Sequence, residues 1–425
     1  MALFAPQGED VAAVAMPWHS VITWEKGHVR AAVLKLSDGA AELLGVAAAP
    51  VHGIGGSNLP DLDRWCAGCE RALTQAEGMT AQTGGRKTAP SHVTMCVPSE
   101  VTQDLAVTVS QRRRNENRSI GLDELRALLR KGYRTAQDLL ETRGRDNGGR
   151  AGFEIVWGGV ACLQVDGQPV VDPQGMYGQT LDMDLAFGLV QIEWVRALET
   201  VAERLQLQLE AIVPHHIAYA APIAEPLALL VVLDEEQSLA GLVRRGRTAW
   251  VARAPIGVQQ IVKGATHGLH LSDRQVNTLL RAFRAGQLRE DFELDLARAL
   301  WVELRRWMAA LAEKMRQAPH LGNYPRRIYI CDVTRSLPEG RLSLETPFWE
   351  QQLPFGKAPE VIEMDLSQVH NVLDWTSRAS GGAFLLLRSL AHHVGRQYAA
   401  GGELDRLLAE AMHGRGVAPR ARRVR

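Results

Sequence analysis

The sequence predicts an α/β protein of two or more domains. Its 425 residues are enough for several hydrophobic cores, and 46% hydrophobic with 23% charged residues is an ordinary composition for a globular protein. Runs of alternating apolar and polar residues are followed by longer runs with apolar residues at helical spacing, and this order recurs along the chain. Collagen-like and largely disordered classes do not fit this composition.

Charge and cysteine content narrow the function classes. The 48 basic and 48 acidic residues give no overall preference for nucleic acid or for an anionic membrane. Five cysteines, an odd number scattered through a large chain, argue against a disulfide framework and for a reducing compartment. The start of the chain lacks the features of a signal peptide, and the apolar run at 227–233 is too short to span a membrane. We therefore expect a cytoplasmic protein.

The first part of the chain, residues 18–104, follows a loose leader at 1–17 and has the elements of an α/β layer. Ser37-Asp38-Gly39 is a hairpin turn between two strand-like runs. A helix is expected after the loop that ends at Asn58, because apolar residues then recur at helical spacing. The predicted elements are strands at 20–23, 29–36, 41–47 and 92–97 and a helix at 60–77.

The next part, residues 105–182, is predicted to be a small α+β unit. It has a strand at 105–110, a helix at 122–142 and a strand at 153–156. The stretch that follows contains the turn-forming pairs Asp166-Gly167 and Asp172-Pro173 and two permissive glycines, Gly175 and Gly178. From Thr180 apolar and polar residues alternate, which is typical of a half-buried strand.

The remaining chain repeats the strand and helix alternation. Residues 183–226 contain one helix and return the chain to the first part, and residues 227–400 form a second half. In that half a hairpin is expected around Gly246, while 279–295 is weakly patterned. The predicted elements are strands at 227–233, 249–254, 327–331 and 361–364 and helices at 295–315 and 381–398. Residues 401–425 are predicted to form a short helix and an Arg-rich tail.

The order of residues within 166–178 also carries a family resemblance. The motif D-G-x-x-x-x-D-P-x-G-M-x-G, followed by an alternating strand, resembles the inserted subdomain of FtsA, an actin-like (ASKHA superfamily) cell-division protein of bacteria. Pro255-Ile256-Gly257 also match a Pro and Gly that precede a helix in that family. The insert-motif residues are Asp166, Gly167, Asp172, Pro173, Gly175, Met176 and Gly178.

The resemblance implies an actin-like (ribonuclease H-like) fold with duplicated halves around a cleft. Residues 18–104 and 183–226 would then form the first half, and 227–400 the second. Residues 105–182 would be an SHS2-type insert. The fourth subdomain, at about 284–318, would be truncated to little more than one long helix.

The resemblance also locates a nucleotide cleft, at which the family motifs are degraded. The family pattern D-x-G-[ST]-[ST]-K falls where this sequence has Trp24, Lys26 and Gly27, and D-x-G-G-G-T-T falls on Asp234, Glu236 and Ser238. A third turn, T-G-G-G in the family, falls on Asp332 and its neighbours. Glycines leave room for phosphates, whereas carboxylates repel them. We expect a vestigial cleft in a pseudo-ATPase, with no catalytic residue and no cofactor, neither ATP nor magnesium.

Other candidate sites have simpler structural interpretations. Cys66 and Cys69 have the spacing of half a zinc site but lie on the apolar face of a helix, which favours a place in the core. The adjacent pairs at 215–216 and 392–393 are poor joint metal ligands, because neighbouring side chains point in different directions. Arg112, Arg113, Arg114 and Arg118 are interpreted as a solvated turn, and so is the acidic run that begins at Asp234. We expect no metal site.

Three functions are compatible with these observations. The first is a non-catalytic actin-like scaffold or adaptor, related to FtsA, in cell division or envelope organisation. The second is an adaptor similar to PilM, an actin-like protein of pilus or secretion systems, and the third is an active ASKHA-type ATPase or small-molecule kinase. The partners expected are other proteins, with self-association left open and nucleic acid excluded.

The C-terminal segment bears on membrane contact. FtsA proteins end in an amphipathic helix that enters the membrane surface, and here Leu404, Leu407, Leu408 and Met412 give only a modest apolar face. The arginines beyond it could favour anionic lipid but lack an apolar anchor. A solvated tail is favoured, with weak peripheral contact at the inner face of the cell membrane left open. The tail arginines are Arg415, Arg420, Arg422, Arg423 and Arg425.

Overall fold

A computed structural model describes residues 18–25, 27–37, 39–51, 58–146, 152–269, 272–318, 323–335, 337–398 and 403–413. The predicted leader at 1–17, Lys26 and the arginines of the tail lie outside these residues. Strands in the described part are β1 (Trp18–Glu25), β2 (His28–Ser37), β3 (Ala40–Pro50), β4 (His92–Val97), β5 (Thr102–Arg112), β6 (Phe153–Val165), β7 (Gln168–Val170), β8 (Thr180–Gln191), β9 (Gln208–Pro214), β10 (Ala228–Leu233), β11 (Ser238–Arg244), β12 (Arg247–Ala254), β13 (Arg327–Asp332), β14 (Glu360–Glu363) and β15 (Val372–Asp374).

The described helices are numbered in chain order. They are α1 (Leu62–Thr83), α2 (Leu122–Asp146), α3 (Ile192–Arg204), α4 (His215–Ala220), α5 (Val258–Gly268), α6 (Asp273–Arg284), α7 (Glu290–Met315), α8 (Glu339–Leu344), α9 (Phe348–Gln352), α10 (Leu385–Gln397) and α11 (Glu403–His413).

Two of the three sheets share one strand order. The first sheet runs β15-β3-β2-β1-β4-β9, and the second runs β12-β11-β10-β13-β14. In each, three antiparallel strands joined by hairpins are followed by two parallel strands on the other side of the first strand. The first sheet carries β15 as an additional parallel edge strand on β3. The chain therefore consists of two halves built on the same plan.

The sheets form layers with helices between and outside them. α4 and α10 share a central core with side chains of both sheets. The outer face of the first sheet is covered by α1 and α3, and the outer face of the second by α5, α7 and α8. Burial on both faces accounts for the nearly continuous apolar sequence of β10, which is buried at every position.

The third sheet is a separate four-stranded antiparallel unit in the order β5-β8-β6-β7. It is formed by the chain between β4 and α3, and α2 covers it with Leu125, Leu128 and Leu129. Its other neighbours include β12 of the second half, which contacts β5, β6 and β8. The unit thus bridges the two halves.

Some predicted element boundaries were wrong. The stretch 279–295 was expected to be weakly patterned, but it contains the second half of α6 and the start of α7. α6 begins with a capping box in which Ser272 and Gln275 satisfy each other's backbone groups. This region therefore has three helices, and its described residues, 258–269 and 272–318, contain no strand. α1 extends to Thr83 rather than 77, and α10 begins at Leu385 rather than 381.

Candidate functional site at the cleft between the halves

Two turns occupy equivalent places in the two sheets. One joins β1 to β2 and includes Gly27, with a φ of 71°, and the other joins β10 to β11 at residues 234–237. They are the turns at which the family resemblance locates the phosphates. The side chains around these two turns determine whether the cleft can bind phosphate.

Two side chains assigned to the cleft lie elsewhere. Trp24 is fully buried on the outer side of the first sheet, with its ring centroid 4.7 Å from that of Trp65 and 6.3 Å from that of Trp194. The Ser238 hydroxyl accepts a hydrogen bond from Nε1 of Trp307 at 2.7 Å, under α7. The placement of Trp24 and Ser238 in the cleft was therefore wrong, because alternate strand residues face opposite sides of a sheet.

Asp234 is enclosed by protein rather than solvent. It is 1% exposed, and its Oδ2 atom has no hydrogen-bond partner within the described residues. Its backbone carbonyl accepts from the Val258 amide at 2.9 Å, and Gly257 lies so close that an added Cβ would come within 2.6 Å of that carbonyl oxygen. The interpretation of the acidic run as a solvated turn was wrong for Asp234, which is buried, whereas Glu235 is exposed.

A second carboxyl group approaches Asp234. Burial, together with the negative charges of Glu236 and Glu235, raises the pKa of Glu100 to about 7. Burial and Glu100 raise the pKa of Asp234 well above its usual value. Both shifts favour the protonated carboxyl, so the cleft holds negative charge poorly even before an anion approaches.

Glu25, at the end of β1, is engaged within the protein. The Tyr219 hydroxyl donates a hydrogen bond to Glu25 Oε1 at 2.6 Å, and Arg30 Nη1 lies 3.6 Å from Glu25 Oε2. The Arg30 guanidinium also lies 5.7 Å from the centroid of the Phe384 ring. A cation that would otherwise attract phosphate is thus paired with a buried carboxylate.

Asp332, the candidate at the third turn, acts as a cap for its own loop. Its carboxylate accepts hydrogen bonds from the Thr334 hydroxyl at 2.7 Å, the Arg335 amide at 2.9 Å and the Leu337 amide at 2.8 Å. Such a carboxylate fixes the backbone after β13. Within the part of the chain that the structure describes, no three His, Cys, Asp or Glu side chains converge as metal ligands.

A polar network that the sequence did not reveal joins β12 to the insert sheet. Arg253 donates to the Asp104 carboxylate, to the Ser99 carbonyl at 2.7 Å and to the Thr102 hydroxyl at 2.9 Å. His216 Nε2 lies 2.8 Å from the other Asp104 oxygen. Burial alone would raise the pKa of Asp104, but the Arg253 charge and His216 outweigh it and lower that pKa far below its usual range. No sequence signal links the partners in these hydrogen bonds, which are 112 to 154 positions apart.

The insert motif builds a rigid loop. Asp166 and Gly167 form the β6–β7 turn with φ angles of 49° and 76°, the pair of positive values that a type I′ hairpin requires. The Asp166 carboxylate accepts from the Gln179 amide at 2.8 Å and the Thr180 amide at 2.7 Å. A Cβ at Gly178 would lie 2.4 Å from Val165 Cγ1, which accounts for glycine there. The motif thus fastens the loop 171–179 to the start of β8.

The other motif residues shape the rest of this loop. Asp172 Oδ1 accepts from the Gln174 amide at 2.9 Å, and Gly175 has a φ of 80°. The Pro173 carbonyl accepts from the Met176 amide at 3.0 Å. A shallow depression at the loop is lined by Glu116, Asp166, Tyr177, Gly178, Gln179 and Thr180. The loop presents Tyr177 and Val171 to solvent, 65% and 74% exposed.

Arg113 supports this loop from below, which corrects its interpretation as part of a solvated turn. The side chain is buried and donates to the Gly178 carbonyl at 2.9 Å, to the Arg118 carbonyl at 2.8 Å and to both Glu124 carboxylate oxygens at 3.0 Å. The hydrogen bond from Arg113 lowers the pKa of Glu124. Arg113 therefore ties α2 to the motif loop.

Replacing Arg113 with methionine should destabilise the insert by about 1–2 kcal/mol, because two carbonyls and one carboxylate lose their donor. Hydrogen exchange read by mass spectrometry should show faster exchange at 171–180 than in the unaltered protein. Arg114→Met, at an exposed neighbour, is the matched control. Equal exchange in the two variants would contradict the role assigned to Arg113.

The remaining candidates lie in the core. Cys66 and Cys69 are buried between α1 and the first sheet, and burial raises the pKa of both thiols. Burial lowers the pKa of His215 to about 3 and that of His393 likewise, so both imidazoles are neutral at physiological pH. These cysteines and histidines therefore belong to the packed interior of the protein.

The C-terminal helix α11 lies against the insert. Leu407 and Leu408 are buried with α2 and β6, and Asp405 pairs with Arg247 at 2.7 Å. A Cβ at Gly158 would come within 2.8 Å of Met412 Sδ, so the glycine allows the helix to approach the strand closely. The apolar face that was weighed as a membrane contact is therefore covered by the protein itself.

The length and hydropathy of the described helices also bear on membrane contact. Among the described helices, none combines the length and the hydropathy needed to cross a bilayer.

Comparison with solved structures identifies the fold class. No protein-family model and no curated protein matches the sequence. The structure is similar to one titled PilM-PilN type IV pilus biogenesis complex, with a TM-score of 0.55 and 12% identity over 89% of this chain and 98% of that one. At that identity the likeness shows the fold alone. Together with the duplicated strand order, it confirms the predicted actin-like α/β fold of two halves around a cleft.

Two other solved structures are similar at lower scores. The ethanolamine utilization protein EutJ from Carboxydothermus hydrogenoformans has a TM-score of 0.42 and 9% identity over 88% of this chain and 89% of its own. MreB 5 of Spiroplasma citri has a TM-score of 0.40 and 8% identity over 88% of this chain and 95% of its own.

Proposed function

We propose that this chain is a non-catalytic actin-like adaptor, which holds other proteins together without binding nucleotide. The observation that carries the proposal is the carboxyl cluster at the cleft. Glu235 and Glu236 follow Asp234 where the family pattern has glycines, and the carboxyl groups of Glu25, Glu100 and Asp234 lie near enough to interact. A triphosphate entering this cleft would meet the carboxylates of Glu235 and Glu236 where the family has glycines.

The contacts between the halves support the same proposal. Arg253 binds the insert strand β5, and Arg247 donates to the Val160 carbonyl of β6 at 3.0 Å. Arg396 of α10 donates to the carbonyl of Ala221, in the first half, at 2.9 Å. These hydrogen bonds fix the insert and the two halves relative to one another, and a fixed shape suits a scaffold.

The test of this proposal is nucleotide binding. Adding about 1 mM ATP with magnesium should leave the melting temperature unchanged, whereas a ligand at about 100 times its Kd would add about 2.7 kcal/mol of stability. The double variant Glu235→Gln with Glu236→Gln removes two negative charges from the turn. As the matched control, it shows whether these charges alone keep ATP out. Magnesium-dependent binding of ATP at micromolar Kd by the unaltered protein would refute the proposal.

The biological setting has two candidates within this proposal. The whole-chain likeness to the PilM structure favours an adaptor of a pilus or secretion assembly. The motif at 166–178 favours a relative of FtsA that acts in cell division, and a retained SHS2-type insert would then serve protein contacts. Cross-linking in cells followed by mass spectrometry separates the two, because pilus or secretion components should be recovered in one case and division components in the other.

A further inference from the structure

The long helix α7 has a second apolar stripe that its own domain does not cover. Its inner face buries Leu296, Leu300, Leu304, Trp307 and Leu311. On the other side Leu294, Trp301 and Val302 are 51%, 38% and 52% exposed. Their spacing of seven and eight residues places them on one side of the helix. Tryptophan is one of the residues enriched among those that contribute most of the binding energy at protein interfaces.

Charged residues give this exposed stripe an acidic end and a basic end. The first turns carry Asp291 and Asp295, and the following turns carry Arg298, Arg305 and Arg306, all of them exposed. Ion pairs within the chain engage several of them: Asp291 lies 2.8 Å from Arg289, and Asp295 lies 3.6 Å from Arg298. Exposed pairs of this kind contribute little stability, so they exchange readily for partners across an interface.

We propose that the outer face of α7, defined by Leu294, Trp301, Val302 and the charges between 291 and 306, is a self-association surface that takes the same face of a second copy. When the two-fold axis is perpendicular to the two copies of α7, the two helices are antiparallel. The acidic end of each then lies against the basic end of the other, and the apolar residues meet in between. Antiparallel alignment also opposes the helix dipoles favourably.

The charge pattern is what selects a second copy over a different protein. A partner with an acidic helix would satisfy the arginines but would be repelled by Asp291 and Asp295. A basic partner would meet the reverse problem. A copy of the same stripe, turned end to end, satisfies both halves at once. The stripe from 291 to 306 is about 22 Å long, so the contact falls at the small end of specific interfaces and the dimer should be weak.

Sedimentation velocity of the full chain tests this surface. Between about 1 and about 200 µM the weight-average sedimentation coefficient should rise towards that of a dimer, as expected for a small interface. Trp301→Ala should raise the dimer Kd at least about tenfold. Val171→Ser, at a solvent-exposed apolar residue of the insert, is the matched control and should leave the Kd unchanged.

Charge reversal makes the test specific. Asp295→Arg and Arg305→Asp should each weaken association, and the two changes in one chain should restore it, because the opposite ends remain complementary. All three variants keep the inner face of α7, so circular dichroism should match that of the unaltered protein. A protein that stays monomeric at the highest concentration, or association that the reversals leave unchanged, would overturn the proposal. Binding of another protein at this face without self-association would overturn it as well.

Discussion

Replacing Arg253 with methionine should lower the free energy of unfolding by about 3–5 kcal/mol, the range expected when one partner of a buried ion pair is removed. The guanidinium is the main positive charge that keeps the mostly buried Asp104 ionised, and it also satisfies the Ser99 carbonyl and the Thr102 hydroxyl. Methionine retains much of the apolar stem and loses only the charge and its donors. Guanidinium unfolding followed by circular dichroism measures the change.

Two further variants separate this network from a general effect of removing an arginine. Arg126→Met removes an exposed charge that pairs with Asp123 at 3.4 Å, and should change stability by less than about 0.5 kcal/mol. Asp104→Asn combined with Arg253→Met should recover part of the loss, because the buried negative charge is then absent. If Arg253→Met were no more harmful than Arg126→Met, the network would not join the halves.

Hairpins and turns were the part of the fold that local sequence could predict. Asp166-Gly167 and Arg245-Gly246 adopt positive φ angles, a conformation that glycine accepts at little cost and that the neighbouring Asp or Arg can share in a tight turn. The alternation after Thr180 likewise matches β8, with Leu181, Met183 and Leu185 buried. These features depend on residues a few positions apart.

The parts that sequence reasoning missed depend on residues far apart in the chain. Nothing near Arg113 indicates that it would be enclosed by the loop at 171–179, and nothing near Leu408 indicates that β6 would cover it. At the cleft, the sequence showed that the family glycines are missing, but it did not show that Asp234 is buried. A carboxylate run in a turn ordinarily points to solvent, and Glu235 is exposed here, but Asp234 is 1% exposed.

Replacing Glu100 with glutamine should stabilise the protein by about 2 kcal/mol at pH 8, after allowance for the partial exposure of this carboxyl group. Burial and the charges of Glu236 and Glu235 raise the pKa of Glu100 to about 7, while Arg253 acts in the opposite direction. At pH 8 the folded protein must keep this carboxyl group ionised beside Asp234, and the unfolded chain meets no such cost. Glutamine resembles the protonated acid and removes the cost.

The sign of the pH dependence follows from the raised pKa. Between the unfolded pKa of about 4.3 and the folded value near 7, the folded state binds more protons than the unfolded state, so its stability falls as the pH rises through this window. The advantage of Glu100→Gln should therefore be small near pH 4.5, grow through pH 6 and level off above pH 7. Measuring the difference between variant and unaltered protein cancels the opposing titration of buried histidines such as His215, which favours unfolding as the pH falls. Glu70→Gln, at an exposed site, should show no such trend, and a pH-independent advantage for Glu100→Gln would mean that Glu100 does not carry the cleft's charge.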